Sequence, residues 1–310
     1  MKVWITGGSG MVGKNLIESP KSTNHQILIP TRNELNLLEK QAIVNWLSEK
    51  KPDCVIHAAG KVGGIQANIA NPTEFLSKNI EIGVNVITSS IKAGIKKFIN
   101  LGSSCMYPKE AKNPLKVESL LTSPLEPTNE GYALAKIVCQ KLCEYHSKEN
   151  IDSYFKTLIP CNIYGKFDSF KEEDSHLIPS IIRKVYNAKL RGNNLIKVWG
   201  TGTARREFMY AEDLADAIWF CLENIDKLPN STNIGLGYDF TILEYYKIVS
   251  EILDYKGDYK MELNKPEGMK RKIVDIEVIS KMGWKHKIDI KQGVKLTYDY
   301  FHSQIVDEKI

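Results

Sequence analysis

Short apolar runs alternate with amphipathic stretches through the first half of the chain, and each change of period predicts a change of element. Val3-Trp-Ile-Thr6 reads as a strand, Lys14-Asn-Leu-Ile17 as the continuation of a helix, and Gln26-Ile-Leu-Ile-Pro30 as a second apolar run. Leu38 to Lys50 turns Ile43, Trp46 and Leu47 to one helical face until Lys51-Pro-Asp breaks it. Cys54 to Ala59 is the next strand, Thr73 to Ala93 a long helix, Lys97 to Leu101 a strand, Glu130 to Lys148 a helix and Tyr154 to Pro160 a strand. Such alternation predicts a parallel sheet covered on both faces. Beyond Gly165 the pattern loosens: a charged loop over Lys166 to Ser175, a helix over Leu177 to Lys189 and a short strand at Ile196 to Trp199. Glu207-Phe-Met-Tyr210 and Asn233-Ile-Gly235 read as returns to the first sheet, separated by a helix over Asp213 to Leu222. Thr241 to Leu253 is amphipathic, and Gln292 to Phe301 closes the chain as a helix.

Between the first strand and its helix lies Gly7-Gly-Ser-Gly10-Met11-Val12-Gly13. Strand, glycine turn, helix is the dinucleotide-binding order, in which bare backbone lets a pyrophosphate reach the amides of the helix N-terminus. Two registers fit, Gly8-x-Gly10-x-x-Gly13 and Gly7-x-x-Gly10-x-x-Gly13. The fold class is therefore α/β, a Rossmann-type doubly wound parallel sheet with a smaller mixed α/β C-terminal substrate domain. The expected boundaries are 1–165 for the cofactor domain, with returns near 205–222 and 232–250, and 166–310, interleaved, for the substrate domain. At the end of the second apolar run, where an NAD site carries a carboxylate, the chain has Thr31-Arg32, and a guanidinium suits the 2'-phosphate of NADPH. A solvated surface arginine is the plainer alternative.

Tyr132 and Lys136 stand four apart on a predicted helix, so the ammonium sits beside the phenol. An unperturbed phenol titrates near pH ~10, and a positive charge ~5 Å away is expected to bring it toward neutrality. Ser103, at the end of a strand, can hydrogen-bond the same carbonyl oxygen that the tyrosine protonates. Tyr-x-x-x-Lys also arises by chance, so its weight comes from the glycine loop before it.

Composition narrows the class without deciding it. At 310 residues the chain can bury a substantial core, and 42 basic against 37 acidic residues leave a mild excess of five positive charges. That suits small anionic ligands at least as well as nucleic acid. Six scattered cysteines with no Cys-x-x-Cys pair suggest neither a disulfide framework nor a metal site, and reduced thiols fit a cytoplasm. The N-terminus runs from Met1-Lys2 straight into a strand, with no signal-peptide core, and no run reaches membrane-spanning length.

With the glycine loop, Ser103, Tyr132 and Lys136 in order, the chain resembles the extended short-chain dehydrogenase/reductases. Ala59-Gly-Lys-Val-Gly-Gly-Ile65, Gly102-Ser-Ser-Cys-Met-Tyr-Pro108, Leu125-Glu-Pro-Thr-Asn-Glu130, Ser175-His-Leu-Ile-Pro179 and Val198-Trp-Gly-Thr-Gly202 are more specifically similar to the GDP-L-fucose synthases over nearly the whole chain. The resemblance implies reduction by NADPH of the C4 ketone of a GDP-4-keto-6-deoxy sugar, after epimerisation at C3 and C5 in the same site. It implies that Tyr132 protonates the C4 oxygen, Ser103 polarises the carbonyl, and Lys136 tunes the tyrosine and holds the nicotinamide ribose. Cys105 and His176 match the epimerising base and acid. Gly7, Gly10, Met11, Val12, Gly13, Arg32, Lys136 and Asn162 fall at cofactor positions, and Lys184, Trp199, Arg206 and Glu267 at substrate positions. For Arg206 the alternative is a surface ion pair with Glu207 or Asp213. A homodimer through residues 73 to 93 and 130 to 148 is also implied, as is synthesis of a surface polysaccharide precursor.

Departures keep rivals open. Lys166-Phe167-Asp168-Ser169-Phe170 stands where fucose synthases have Pro-His-Asp-Asn-Phe, which could admit another GDP-keto sugar such as a 6-deoxyheptose, or leave C4 reduction without epimerisation. Glu267 stands where the family favours aspartate. A nucleotide-sugar epimerase or 4,6-dehydratase would retain NAD, against which Arg32 argues. From another class, a silent dinucleotide-fold protein could bind RNA or protein through Lys96-Lys97 and Lys270-Arg-Lys272, although no aromatic interleaving recommends nucleic acid.

Overall fold

The computed structural model describes residues 1–171, 175–265 and 268–306. In chain order the first half comprises β1 (Lys2–Thr6), α1 (Met11–Glu18), β2 (Gln26–Leu28), α2 (Lys40–Lys50), β3 (Cys54–His57), α3 (Ile65–Ala70), α4 (Pro72–Lys92), β4 (Lys97–Leu101), α5 (Glu130–Glu149), β5 (Tyr154–Pro160) and β6 (Asn162–Tyr164). The second comprises α6 (Leu177–Leu190), β7 (Leu195–Trp199), β8 (Arg205–Arg206), β9 (Phe208–Tyr210), α7 (Ala211–Glu223), β10 (Ser231–Ile234), β11 (Phe240–Thr241), α8 (Ile242–Ile252), β12 (Asp258–Glu262), β13 (Arg271–Lys272), α9 (Glu277–Lys281) and α10 (Ile290–Val306).

Six of the strands form one parallel sheet in the order β10-β5-β4-β3-β1-β2. Successive strand residues point to opposite faces, so Val3 and Ile5 enter one core with Leu16 of α1 and Leu214 and Ile218 of α7. Trp4, Val55, Phe98 and Phe155 enter the other, against Ile43 and Leu47 of α2, Val86 and Ile87 of α4, and Cys139 and Cys143 of α5. This is the doubly wound α/β architecture that the alternation predicts. A third core lies in the second half, where Ile178, Ile181 and Ile182 of α6 pack with Val198, Tyr245, Val249, Val294 and Phe301.

One expected return takes a different place. The strand at 207–210 was expected in the first sheet, but β9 pairs in parallel with β6 as a separate two-stranded sheet. The edge beside β5 is taken by β10, and the ladder between them runs on to the Cys161 N–H, which donates to Ile234 O at 2.9 Å. Three further pairings have no counterpart in the sequence pattern: β12 lies parallel to β7, and β8 runs between β11 and β13.

Candidate active site

A single cleft of about 1280 Å³ runs over the carboxyl ends of β1, β3, β4 and β5 and continues to α6, β7 and β8. Ligands of open α/β sheets bind at that end. The turn after β1 sets its floor. Gly7 has φ +71°, and a Cβ there would lie 2.8 Å from Ala59 Cα. A Cβ on Gly13 would lie 2.3 Å from Gly7 O, so the first turn of α1 can close on the loop only without side chains. Gly10 caps α1 with no side-chain hydrogen bond and no acidic residue follows in the first turn, which leaves those amides suited to a pyrophosphate. Met11 and Val12 line the same wall. Arg32 sits exposed on the rim and forms no ion pair among the described residues. The nearby Glu34 carboxylate is taken by the Thr31 N–H at 2.7 Å and its hydroxyl at 2.8 Å. The donor set thus fits a 2'-phosphorylated dinucleotide.

Ser103 follows β4 with extended backbone and caps a short 3-10 turn, its Oγ accepting from Cys105 N at 3.2 Å. Tyr132 and Lys136 share the cleft face of α5, the lysine Nζ 5.7 Å from the phenol ring centre. The expected acidification of the tyrosine is not present. Lys136 is buried and donates to Leu101 O at 2.8 Å, and burial pushes its ammonium down. Burial likewise pushes the Tyr132 phenol up, with the nearby Cys105 and Cys139 thiols adding to the rise. Desolvation of both partners outweighs their attraction, so the phenol keeps its proton through the neutral range.

Cys105 and His176 open onto the same cleft. The Cys105 sulfur accepts from Asn129 Nδ2 at 3.2 Å and Lys272 Nζ at 3.5 Å. His176 precedes α6, with Nδ1 3.2 Å from Asp168 Oδ1. Burial pulls the imidazole down, and the hydrogen bond and charge of Asp168 more than offset it, so His176 holds its proton above the ordinary histidine range. Asn129, Asp168 and Lys272 were not singled out as site residues in the sequence. Asp168 lies in the divergent loop, eight residues before His176, and Lys272 in a basic triplet whose contact with Cys105 spans 167 residues.

Across the cleft, Lys184 Nζ lies 5.7 Å and Lys265 Nζ 5.3 Å from the Trp199 ring centre, and Lys184 also donates to Tyr246 OH at 3.3 Å. Arg206 lines the cleft from β8. Its alternative partners are otherwise engaged: Glu207 accepts from the N–H of Leu236, Gly237 and Val274, and Asp213 from those of Lys287 and Ile288. Burial pushes Glu207 up to about 7 against those three donors. Asn162 lines the cleft and donates to Glu207 O at 2.8 Å. Glu267 lies outside the described residues. The basic triplet is no solvated run, since Arg271 pairs with Asp239 at 2.6 Å and Lys272 is buried. No helix among the described residues is long and apolar enough to cross a membrane.

The arrangement can protonate a carbonyl oxygen at Tyr132 and exchange protons on carbon at Cys105 and His176. The model of the NAD dependent epimerase/dehydratase family matches residues 3–236. GDP-L-colitose synthase of Yersinia pseudotuberculosis is 49% identical, the match covering 97% of this chain and 98% of that protein. GDP-L-fucose synthase of Azorhizobium caulinodans is 44% identical, with 97% and 96% covered. The structure of a GDP-mannoheptose C4 reductase from Campylobacter jejuni with NADP bound is 34% identical and superposes with a TM-score of 0.88, covering 97% of this chain and 98% of that one.

Proposed function

The chain belongs to the NAD dependent epimerase/dehydratase family and, within it, to the group of the GDP-L-fucose and GDP-L-colitose synthases, and from that premise we infer what it does. It is an NADPH-dependent oxidoreductase that reduces the C4 ketone of a GDP-4-keto-6-deoxy sugar, and we propose that it first epimerises C3 and C5. The observation that carries the reading is one cleft holding Ser103, Tyr132, Lys136, Cys105 and His176.

NADPH, when bound, supplies the hydride; the glycine loop and the first turn of α1 would hold its pyrophosphate, Arg32 its 2'-phosphate, and Asn162 and Lys136 its nicotinamide half. Tyr132 gives its phenolic proton to the C4 oxygen while Ser103 Oγ hydrogen-bonds that oxygen. The phenolate left behind is stabilised by Lys136, by about 3 kcal/mol for charges near 5.7 Å apart at an effective dielectric of ~20. In the epimerisation Cys105 takes a proton from the carbon beside the ketone, the electron pair moves onto the C4 oxygen, and His176 returns a proton from the other face. Asp168 keeps that imidazole protonated. Lys184 and Trp199 take the nucleotide end and Arg206 the diphosphate, with Glu267 at the nucleotide ribose.

The second reading, C4 reduction alone on a related sugar such as a 6-deoxyheptose, is favoured by the divergent loop at 166–170. One experiment separates the two: candidate GDP-4-keto sugars with NADPH in deuterated water, followed by absorbance and product NMR. The proposal expects coenzyme oxidation only with such a sugar, and deuterium at C3 and C5. Oxidation without deuterium leaves the second reading, and no oxidation with any candidate overturns both.

The same proposal assigns residues 1–165 mainly to the coenzyme and 166–310, interleaved, to the nucleotide sugar. It includes a homodimer through α4 and α5, whose Leu134, Val138 and Tyr145 leave apolar surface exposed. Six free cysteines suit a reducing cytoplasm.

A further inference from the structure

Cys105 is the only one of the six cysteines that is not buried, and it is met by two N–H donors from distant parts of the chain. Lys272 is 9% exposed and pairs with no carboxylate among the described residues; the group its ammonium reaches is the Cys105 sulfur. Its position is built. On β13 it stands beside Arg206 in register, while Arg271 stands beside Arg205. Arg205 and Arg271 both turn to the buried Asp239, which leaves Arg206 and Lys272 on the cleft side. Two residues on, the Val274 N–H is held by Glu207 Oε2 at 2.9 Å, which fixes the strand. Asn129 offers a second sign. It stands at the N-cap of α5, where an asparagine ordinarily accepts from the helix, yet it makes no cap bond. Its amide instead donates to the sulfur, and its buried Oδ1 has no partner among the described residues.

We propose that Lys272 and Asn129 are positioning residues that hold Cys105 as the thiolate, the form that removes the proton from the carbon beside the ketone. This rests on the reading of Cys105 as the epimerising base. Before the step, the thiol proton has gone to solvent and the thiolate faces the Lys272 ammonium. In the step, the carbon–hydrogen bond breaks, a sulfur–hydrogen bond forms, and the electron pair passes to the C4 oxygen, where Ser103 and Tyr132 receive it. No oxidant or further reactant is needed. The competing role for Lys272, contact with the substrate diphosphate, acts only when sugar is bound.

The test therefore begins without sugar. Iodoacetamide alkylates thiolates, and the other five cysteines are buried, so the Cys105 peptide can be followed by mass at pH 7.5 in the full-length enzyme. Lys272→Met should slow that alkylation by about tenfold or more, and Lys272→Arg, which keeps the charge, by less than about threefold. With sugar and no coenzyme, solvent deuterium entry into the keto sugar should fall by about as much in Lys272→Met. Equal alkylation of Lys272→Met and the unaltered enzyme overturns the proposal and leaves the diphosphate role. If Lys272→Met does not fold, Asn129→Ala carries the test: alkylation slowed about threefold supports the proposal and an unchanged rate overturns it. Absence of deuterium entry in the unaltered enzyme would remove the epimerase reading without changing the alkylation result, so the two failures are distinguishable.

Discussion

The two walls of the cleft are built by different means. One is the carboxyl end of a six-stranded parallel sheet, where bare glycine backbone and the segments that follow the strands deliver Gly7 to Gly13, Ser103 and Asn162. The other combines α6 and β7 with β8 and β13, and these last two, like β11 beside β8, are two-residue strands too short to hold themselves by ladder bonds. Buried carboxylates hold them. Asp239 takes Arg205 at 2.8 Å and Arg271 at 2.6 Å, and Glu207 gathers three backbone N–H groups from residues 236, 237 and 274. The difference teaches how to read charge in this chain. Of two adjacent basic pairs, one member each is structural and the other faces the cleft, and strand alternation decides which.

Breaking each wall should therefore fail differently. The largest effect is expected from Gly13→Ala, whose Cβ meets Gly7 O and Gly8 Cα; NADPH affinity, read by coenzyme fluorescence, should fall by about a hundredfold or more, with the sugar wall intact. Next comes Glu207→Gln, which turns an amide N–H group on the Val274 N–H. It should cost about 1 to 3 kcal/mol, read as a lower denaturation midpoint, and raise the KM for the sugar more than that for NADPH. A smaller effect belongs to Asp168→Asn. Because Asp168 raises His176 against the pull of burial, removing its charge lets the imidazole fall below its ordinary value. The loss of deuterium entry with rising pH should then begin at lower pH, with a rate about tenfold lower near neutrality. The smallest is Arg32→Ala, expected to reduce the NADPH over NADH preference by about tenfold, measured as the ratio of kcat/KM.

The same contrast explains what could be read from residues alone. Strands β1, β3, β4 and β5, the helices on them and the Gly7 to Gly13 loop follow from local period and turn chemistry, and so does the Tyr132 and Lys136 spacing. What escaped depends on distance in sequence. Lys272 and Cys105, and β9 beside β6, are contacts that no local window contains, while Asp168 and His176, eight residues apart, share no periodic element that would pair them. The acid strength of Tyr132 also escaped, because an attraction between two charges can be estimated from spacing whereas their burial cannot. Strands of two residues carry no period at all.

The central claim is that a hydride reaches the C4 carbon of a GDP-keto sugar while Tyr132 protonates the oxygen on it. The direct measurement uses NADPH carrying deuterium at the transferable nicotinamide position, with NMR of the sugar product. Deuterium should appear at C4 of the sugar, and Tyr132→Phe should form that product about 10² to 10⁴ times more slowly. A product with no deuterium at C4, or a Tyr132→Phe enzyme as fast as the unaltered one, would contradict the account.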